Sequence, residues 1–287
     1  MSDVALPGAR APRTFRLRAG AVVALLILLV GFISLVWTPY PIGGLDVGGA
    51  LADPSGAHWF GTDQLGRDVL SLTMKGILTS FVVAAVAVAI GALIGIPLGL
   101  AAAHWGIFAD RAVLGASDFI FAFPALVLAM LLGAAFGPSS VVVMVAVGVF
   151  NIAGFARVSR AGIVALNALD YTAAARLAGS STAEIFRRHV LPALMPLLIA
   201  TAVAQLAGGV LAEAALSFIG LGAQPPATSL GLVLHDAQAV ALAKPALMLL
   251  PGFVLVVTVI ALNLASRGIR GLLDPHLAAI GSDDDAA

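Results

Sequence analysis

Stretches without a single charged residue dominate the chain: Ala19–Trp37, Ile77–Ala103, Phe119–Ala156, Pro192–Ala212 and Pro245–Ser266. A bilayer hydrocarbon core takes about 20 apolar residues per helix, so four of these runs read as one crossing each. The run from Phe119 to Ala156 is too long for one, because at about 1.5 Å per residue it would overshoot a core of about 30 Å. Gly137-Pro138-Ser139-Ser140 near its middle carries turn residues, which predicts two spans, Phe119–Phe136 and Val141–Ala156. The pattern predicts an all-α integral membrane protein with six transmembrane helices. Within them Pro97 is tolerable where neighbouring helices satisfy the carbonyl it frees, and Pro124, Pro196 and Pro251 are expected to kink their helices. Gly91, Gly95, Gly99 and Gly148 are expected to let helices approach closely.

Composition agrees. Of 287 residues 61% are hydrophobic and 10% charged, against about 25% charged in an ordinary soluble domain. Four arginines (Arg10, Arg13, Arg16, Arg18) precede the first run, as in a secretory signal, but the run exceeds a signal's apolar stretch of about 7–15 residues. No small-residue cleavage site follows Trp37, so the run reads as a retained anchor. With both termini cytoplasmic, twelve of the fifteen Lys and Arg fall inside and only Arg67, Lys75 and Lys244 outside, as the positive-inside bias expects. The expected organisation is a cytoplasmic N-tail over 1–18, a first span over 19–37 and an external segment over 38–76. A five-helix core over 77–267, with a cytoplasmic segment over 157–191, precedes a cytoplasmic C-tail over 268–287.

Ala214–Leu234 is also uncharged, yet Gln224-Pro225-Pro226-Ala227-Thr228-Ser229 interrupts it, and a seventh crossing would carry Arg267 and Arg270 outside. Ala214–Gly222 is therefore expected as an external or re-entrant segment against the bundle. Zero net charge offers no basic field for nucleic acid, and the absence of Cys excludes disulfides, thiolate catalysis and Cys-ligated metals. The polar segments are too short to fold as catalytic domains, and no Walker A motif, H-E-x-x-H or nucleophile elbow occurs. No catalytic residue is assigned to the chain.

Between the fourth and fifth spans, Asp170 to Pro192 spells helix, break, helix. Ala173–Ala178 are strong helix formers, and Gly179 suits the left-handed position that closes a helix. Ser181 with Glu184 three residues on forms a capping box. It starts a second helix whose apolar face, Ile185, Phe186 and Val190, lies opposite Arg187 and Arg188. Pro192 sits where a new helix can begin and turn into the membrane. Two readings stand at this point: a membrane-surface loop held by anionic lipid, or a rigid knuckle that fits a groove in a cytoplasmic partner.

This segment resembles the "EAA" loop of the permease subunits of ATP-binding-cassette importers, matching at Ala174, Ala175, Gly179, Leu191 and Pro192. Ala173 stands at the pattern's Glu and His189 at its Ile. Three further stretches resemble the C-type subunit of dipeptide and oligopeptide permeases: His58-Trp-Phe-Gly-Thr-Asp-Gln-Leu-Gly-Arg-Asp-Val-Leu-Ser71, Leu216-Ser-Phe-Ile-Gly-Leu-Gly-Ala-Gln-Pro-Pro226 and Leu273-Asp-Pro275. Leu72, Leu78, Gly115 and the pair Ser266-Arg267 depart from that branch. The resemblance implies a type I importer permease in the plasma (inner) membrane, working with a homologous second permease subunit, two ATP-binding subunits and an external solute-binding protein. ATP and magnesium would belong to the partner subunits. Tyr171, Ala174, Ala175, Arg176, Gly179, Ser181, Glu184, Arg187, Arg188, Leu191 and Pro192 become the residues expected to couple to the ATPases. Di- and oligopeptides lead as substrates, with nickel chelates, opines, haem and antimicrobial peptides carried by similar permeases.

Other polar residues have simpler expectations. His58, Asp63 and Asp68 match no calcium spacing, so Thr62 or Asp63 is expected to cap a short helix and Arg67 to pair an acid or dock the binding protein. Asn151, Gln205 and Asn263 are expected to hydrogen-bond between helices, with Asn151, Gln205 and Glu213 as candidates for the substrate path. A stand-alone channel or secondary transporter would want ionisable groups inside its spans, and the spans as drawn contain none. A membrane scaffold is the third class.

Overall fold

A computed structural model describes residues 13–123 and 125–273, with side chains over 17–123 and 126–270. Ten α-helices run in chain order: α1 (Arg13–Ile33), α2 (Val69–His104), α3 (Ile107–Ala122), α4 (Ala125–Phe136), α5 (Ser140–Asn167), α6 (Asp170–Leu177), α7 (Thr182–Ile185), α8 (Leu191–Phe218), α9 (Leu230–Gln238) and α10 (Ala246–Leu273). No strand occurs among the described residues; Thr62 and Asp68 form one isolated antiparallel bridge.

Helix α2 is the axis around which the others pack, touching α1, α3, α5, α8 and α9. Its approach to α5 depends on glycine at every fourth position, which keeps one face of α2 free of side chains. A Cβ on Gly95 would stand 2.5 Å from the Ile152 carbonyl oxygen, one on Gly99 2.5 Å from that of Ala156, and Gly91 rests on Asn151. The close packing expected at these glycines is present, and Gly148 meets Ile90 in the same way. Gly20 does the corresponding work between α1 and α10, where a Cβ would lie 2.6 Å from Ala261 O. Around these crossings Phe81, Ala84, Val210 and Leu262 form one apolar core, Val83, Val143, Val147 and Leu216 a second, and Phe155, Ile163, Ile185 and Leu194 a third. Pro97, Pro196 and Pro251 sit inside continuous helices, whereas Pro124 lies outside the described residues.

The described helices differ from six simple spans. Four are long and apolar enough to cross a membrane: α2, α5, the continuous helix Thr182–Phe218, and Ala246–Arg270. The pair α3 and α4 supplies a fifth only if counted as one broken span, and the apolar part of α1, Leu17–Ile33, is shorter. A straight third span over 119–136 does not form, because α3 and α4 meet at 81°. Phe123, the residue before proline, caps α3 in an extended conformation (φ −88°, ψ 126°), as clash with a following proline ring favours. The fifth span also runs six residues past Ala212, so most of the segment expected to be re-entrant is the last turn of α8, and only 219–229 is non-helical. This extension places Glu213 inside an apolar helix and corrects the expectation that the spans hold no ionisable group.

The polar segment 38–68 folds over the end of the bundle where α9 lies. Asp68, rather than Thr62 or Asp63, is the helix cap: its Oδ2 accepts from Ser71 N at 2.8 Å and Ser71 Oγ at 2.7 Å, while its Oδ1 faces His58 Nδ1 at 3.0 Å. Asp63 instead holds its own turn, accepting from Leu65 N and Arg67 N at 2.9 Å. Arg67 Nε donates to Asp63 at 2.6 Å and its Nη2 to Asp236 of the α9 region at 3.1 Å, so it pairs two acids. Lys244 reaches Asp53 at 2.6 Å. With the carboxylates committed to these donors, His58, Asp63 and Asp68 serve as a brace and share no metal-like arrangement among the described residues.

Candidate functional site

At the opposite end of α8 from this cap, the chain forms an elbow over 170–192. Thr172 fixes its start: the side chain is fully buried and its Oγ1 lies 2.6 Å from the carbonyl oxygen of Leu169 and 3.0 Å from that of Asn167, the last residue of α5, tying α6 to α5. Helix α6 closes with Gly179 at φ +85°. Ser180 N donates to Ala175 O at 3.1 Å and Gly179 N to Arg176 O at 3.0 Å, the paired bonds of a Schellman end that needs a left-handed residue. Nothing lies within 4 Å of the position a Gly179 Cβ would take, so glycine is required there by backbone conformation and not by space.

Ser181 then caps α7, accepting from Glu184 N at 3.3 Å. Only this half of the expected capping box forms, because the Glu184 carboxylate turns to Arg188 at 2.8 Å. Beyond α7 the helix does not stop. Phe186–Val190 is one turn of π-helix that runs into α8, so Pro192 sits in the first turn of a helix already under way and starts nothing. The extra residue in that turn rotates the faces. Ile185 and Val190 point into the core beside Leu194 and Phe155, while Arg187, Arg188 and His189 point outward. His189 meets Tyr171 with ring centroids 6.2 Å apart, closing the elbow across its two arms.

The result is a knuckle with an apolar root and a polar outer face. Tyr171, Ala174, Arg176, Gly179, Ser181, Arg187, Arg188 and Pro192 are exposed, and Ala175, Glu184 and Leu191 are half-buried. Leu177, at the tip beside Gly179, is 90% exposed, an apolar side chain held clear of the protein. Its signal in the sequence was a lone large apolar residue just before the helix-closing glycine. Thr172 and the π turn left weaker marks, since neither a buried threonine nor a register shift has a composition of its own. Beside the elbow a groove of about 640 Å³ opens between α2, α5 and α7, lined by Pro97, Leu100, Trp105, Ile163, Phe186 and Arg187.

Among the described residues, the three candidate path residues sit at helix contacts and line neither the groove beside the elbow nor those at α1 and the cap. Asn151 packs against Gly91 of α2, with its Nδ2 buried and without a hydrogen-bond partner among the described residues. Gln205 lies against Gly154 of α5, one turn from Asn151. Glu213 is 1% exposed and is held by the hydroxyls of Ser80 and Ser217. Asn263 donates to Val259 O at 2.9 Å in its own helix. The interhelical bonds expected of Asn151 and Asn263 are therefore not the ones made.

The family model described as "Binding-protein-dependent transport system inner membrane component" matches residues 95–279. A glutathione transport system permease protein of Pectobacterium atrosepticum is 34% identical over 260 residues, 90% of this chain and 86% of that protein. A Brucella suis protein provisionally named a peptide transport system permease is 34% identical over 280 residues, 98% of this chain and 94% of its own length. Among solved structures, an inward-facing methionine ABC transporter matches with a TM-score of 0.59 at 20% identity, over 70% of this chain and 96% of that one, which supports the helical fold. On the match across most of its length, the chain belongs to the binding-protein-dependent, ABC-type transport inner-membrane components, multi-pass permeases of the peptide and glutathione kind.

Proposed function

We propose that the chain is the permease subunit of an ATP-driven importer for di- and oligopeptides, forming the translocation path with a homologous second permease subunit. In this reading it crosses the inner membrane six times, α3 and α4 forming one broken span and α1 the first, with both termini and the elbow cytoplasmic. Two ATP-binding subunits, which carry ATP and magnesium, grip the elbow through Tyr171, Ala174, Ala175, Arg176, Gly179, Ser181, Glu184, Arg187, Arg188, Leu191 and Pro192. An external solute-binding protein delivers the peptide at the end capped by 38–68.

The observation that carries the reading is the elbow itself. Its outer face carries exposed Arg176, Arg187 and Arg188 and the bare Leu177, while its inner face is rooted in the core by Ile185 and Val190. A surface so placed transmits force: a partner that moves the knuckle moves α5 through Thr172 and moves α8 through the continuous helix. The relatives, a glutathione and a peptide transport permease by name, suggest the peptide class.

The experiment is reconstitution of the complete complex in proteoliposomes, with uptake of trialanine and of glutathione measured with and without ATP. ATP-dependent uptake of either supports the reading. Flux through this chain alone without ATP, or labelling of 171–191 from the outer side, overturns it.

A further inference from the structure

Resting on the permease reading, we infer that Glu213 is a positioning residue: it pins the cap end of α8, so that a push at the elbow tilts the helix instead of sliding it. Thr182–Phe218 is one unbroken helix of 37 residues. A rod pushed at a free end translates unless its other end is held. Glu213 lies in the last two turns of that rod, on the side facing α2.

Its carboxylate joins four elements. Oε2 accepts from Ser80 Oγ of α2, and Oε1 from Ser217 Oγ, one turn on in α8, at 2.5 Å. Each serine is fixed in turn by a backbone donor: Leu230 N, the first residue of α9, donates to Ser80 Oγ at 3.3 Å, and Ala223 N of the 219–229 loop donates to Ser217 Oγ at 3.3 Å. A hydroxyl carries one hydrogen. Each serine oxygen takes an N–H on one lone pair and donates its own hydrogen to Glu213, so both carboxylate oxygens act as acceptors.

The backbones around this node leave no slack. Gly231 rests on the Ala214 carbonyl, Gly222 on Ser217, and a Cβ on Gly76 would stand 2.9 Å from Leu230 N. Glu213 is 1% exposed and is absent from the lining of the grooves beside the elbow, α1 and the cap. A buried carboxylate with both oxygens filled from within the chain holds helices together, in contrast to the expectation that it meets a peptide amine.

The test is Glu213→Gln in the complete complex in proteoliposomes, read as trialanine uptake per ATP hydrolysed. Glutamine keeps the shape but turns one acceptor into an N–H donor, which its serine can meet only by withdrawing the hydrogen it donates to this side chain. The expected result is a fall of at least fivefold in uptake per ATP, with the amount of assembled complex and the ATP hydrolysis retained. An unchanged ratio, or a parallel fall of uptake and hydrolysis at constant complex, overturns the proposal, since a residue that only stabilises would scale both. If Glu213→Gln lowers the amount of complex, Ser217→Ala decides: it deletes one arm, its ratio is expected to fall at least twofold, and a wild-type ratio overturns the proposal. Absence of ATP-driven uptake in the wild-type complex would instead sink the permease reading and is scored separately.

Discussion

The two ends of the bundle are built on opposite principles. At the cap, polar side chains turn inward and are spent on one another: Asp68 on His58 and Ser71, Arg67 on Asp63 and Asp236, and Glu213 on Ser80 and Ser217. At the elbow, the apolar residues turn inward and the polar ones outward, with Arg187 making no ion pair among the described residues and Arg188 only a surface pair. Buried polar groups are costly unless satisfied, so the cap is rigid by necessity. Exposed charges contribute little to folding, so the elbow's arginines are free to serve a partner. A mutation among the contacts of 38–68 with α9 should therefore read out mainly as stability and one at the elbow mainly as coupling, while Glu213, the anchor of α8, is the cap residue expected to carry coupling.

The largest effect expected from that contrast is at Asp68. Replacing it with alanine removes the cap of α2 and strips Ser71, which is 1% exposed, of its acceptor. Loss of a helix cap costs about 1 kcal/mol and an unsatisfied buried group about 1–3 kcal/mol. Asp68→Ala should lower the thermal midpoint of the detergent-purified chain by several degrees, with uptake falling only in proportion to folded protein. A drop in uptake per folded molecule would extend the coupling role from Glu213 to the outer cap and break the comparison.

Next comes the pair Arg187→Glu with Arg188→Glu. Both side chains are exposed, so the midpoint should shift by less than the Asp68 variant's, while ATP-driven uptake falls more than tenfold, equivalent to about 1.4 kcal/mol of coupling. Wild-type uptake in this variant would show that no partner reads the elbow's charge. Gly179→Val should follow. At φ +85° a β-branched residue is strained by about 1–2 kcal/mol, and the strain falls on the elbow alone because nothing packs there. Uptake per ATP should drop about fivefold, and Gly179→Asn, which tolerates the left-handed region, should restore most of it.

The elbow was the more legible end, and the reason is locality. Gly179 and Ser181 announce a helix end and a helix start through chemistry confined to a few residues, and both are found doing so. The glycine stripe on α2 was equally readable, because its four-residue period is a property of one helix. At the cap the same kind of reading chose Thr62 or Asp63 as the helix cap and missed Asp68, since three acceptors stood within seven residues and only the fold decides which one faces free N–H groups. Glu213 was placed at the edge of a span because hydropathy marks a charge as an end. Its partner Ser80 lies 133 residues away along the chain, and Leu230, whose N–H fixes Ser80, lies 150 residues from that serine, beyond any local pattern. The π turn at 186–190 was invisible for a related reason: it is the compromise by which Ile185 and Val190 both reach the core.

The smallest expected effect, and the finest test of the contrast, is at Glu184. Its carboxylate meets Arg188 at 2.8 Å, but the arginine side chain is 63% exposed and the glutamate 37%. An i,i+4 pair so placed is worth about 0.3–0.5 kcal/mol, roughly a factor of two in how often Arg188 occupies the orientation a partner would meet. Glu184→Gln keeps the backbone N–H that Ser181 caps, so α7 should form as before. Uptake at low ionic strength should fall about twofold, and the difference should shrink near 1 M salt, where the Debye length drops to about 3 Å. The matching cap variant, Asp236→Asn, removes one of two acids from Arg67, whose side chain is 18% exposed. Its smaller exposure should leave the loss of stability visible at the same high salt. If both variants respond to salt alike, the two ends do not differ in how they use charge, and the division between a rigid cap and a readable elbow fails.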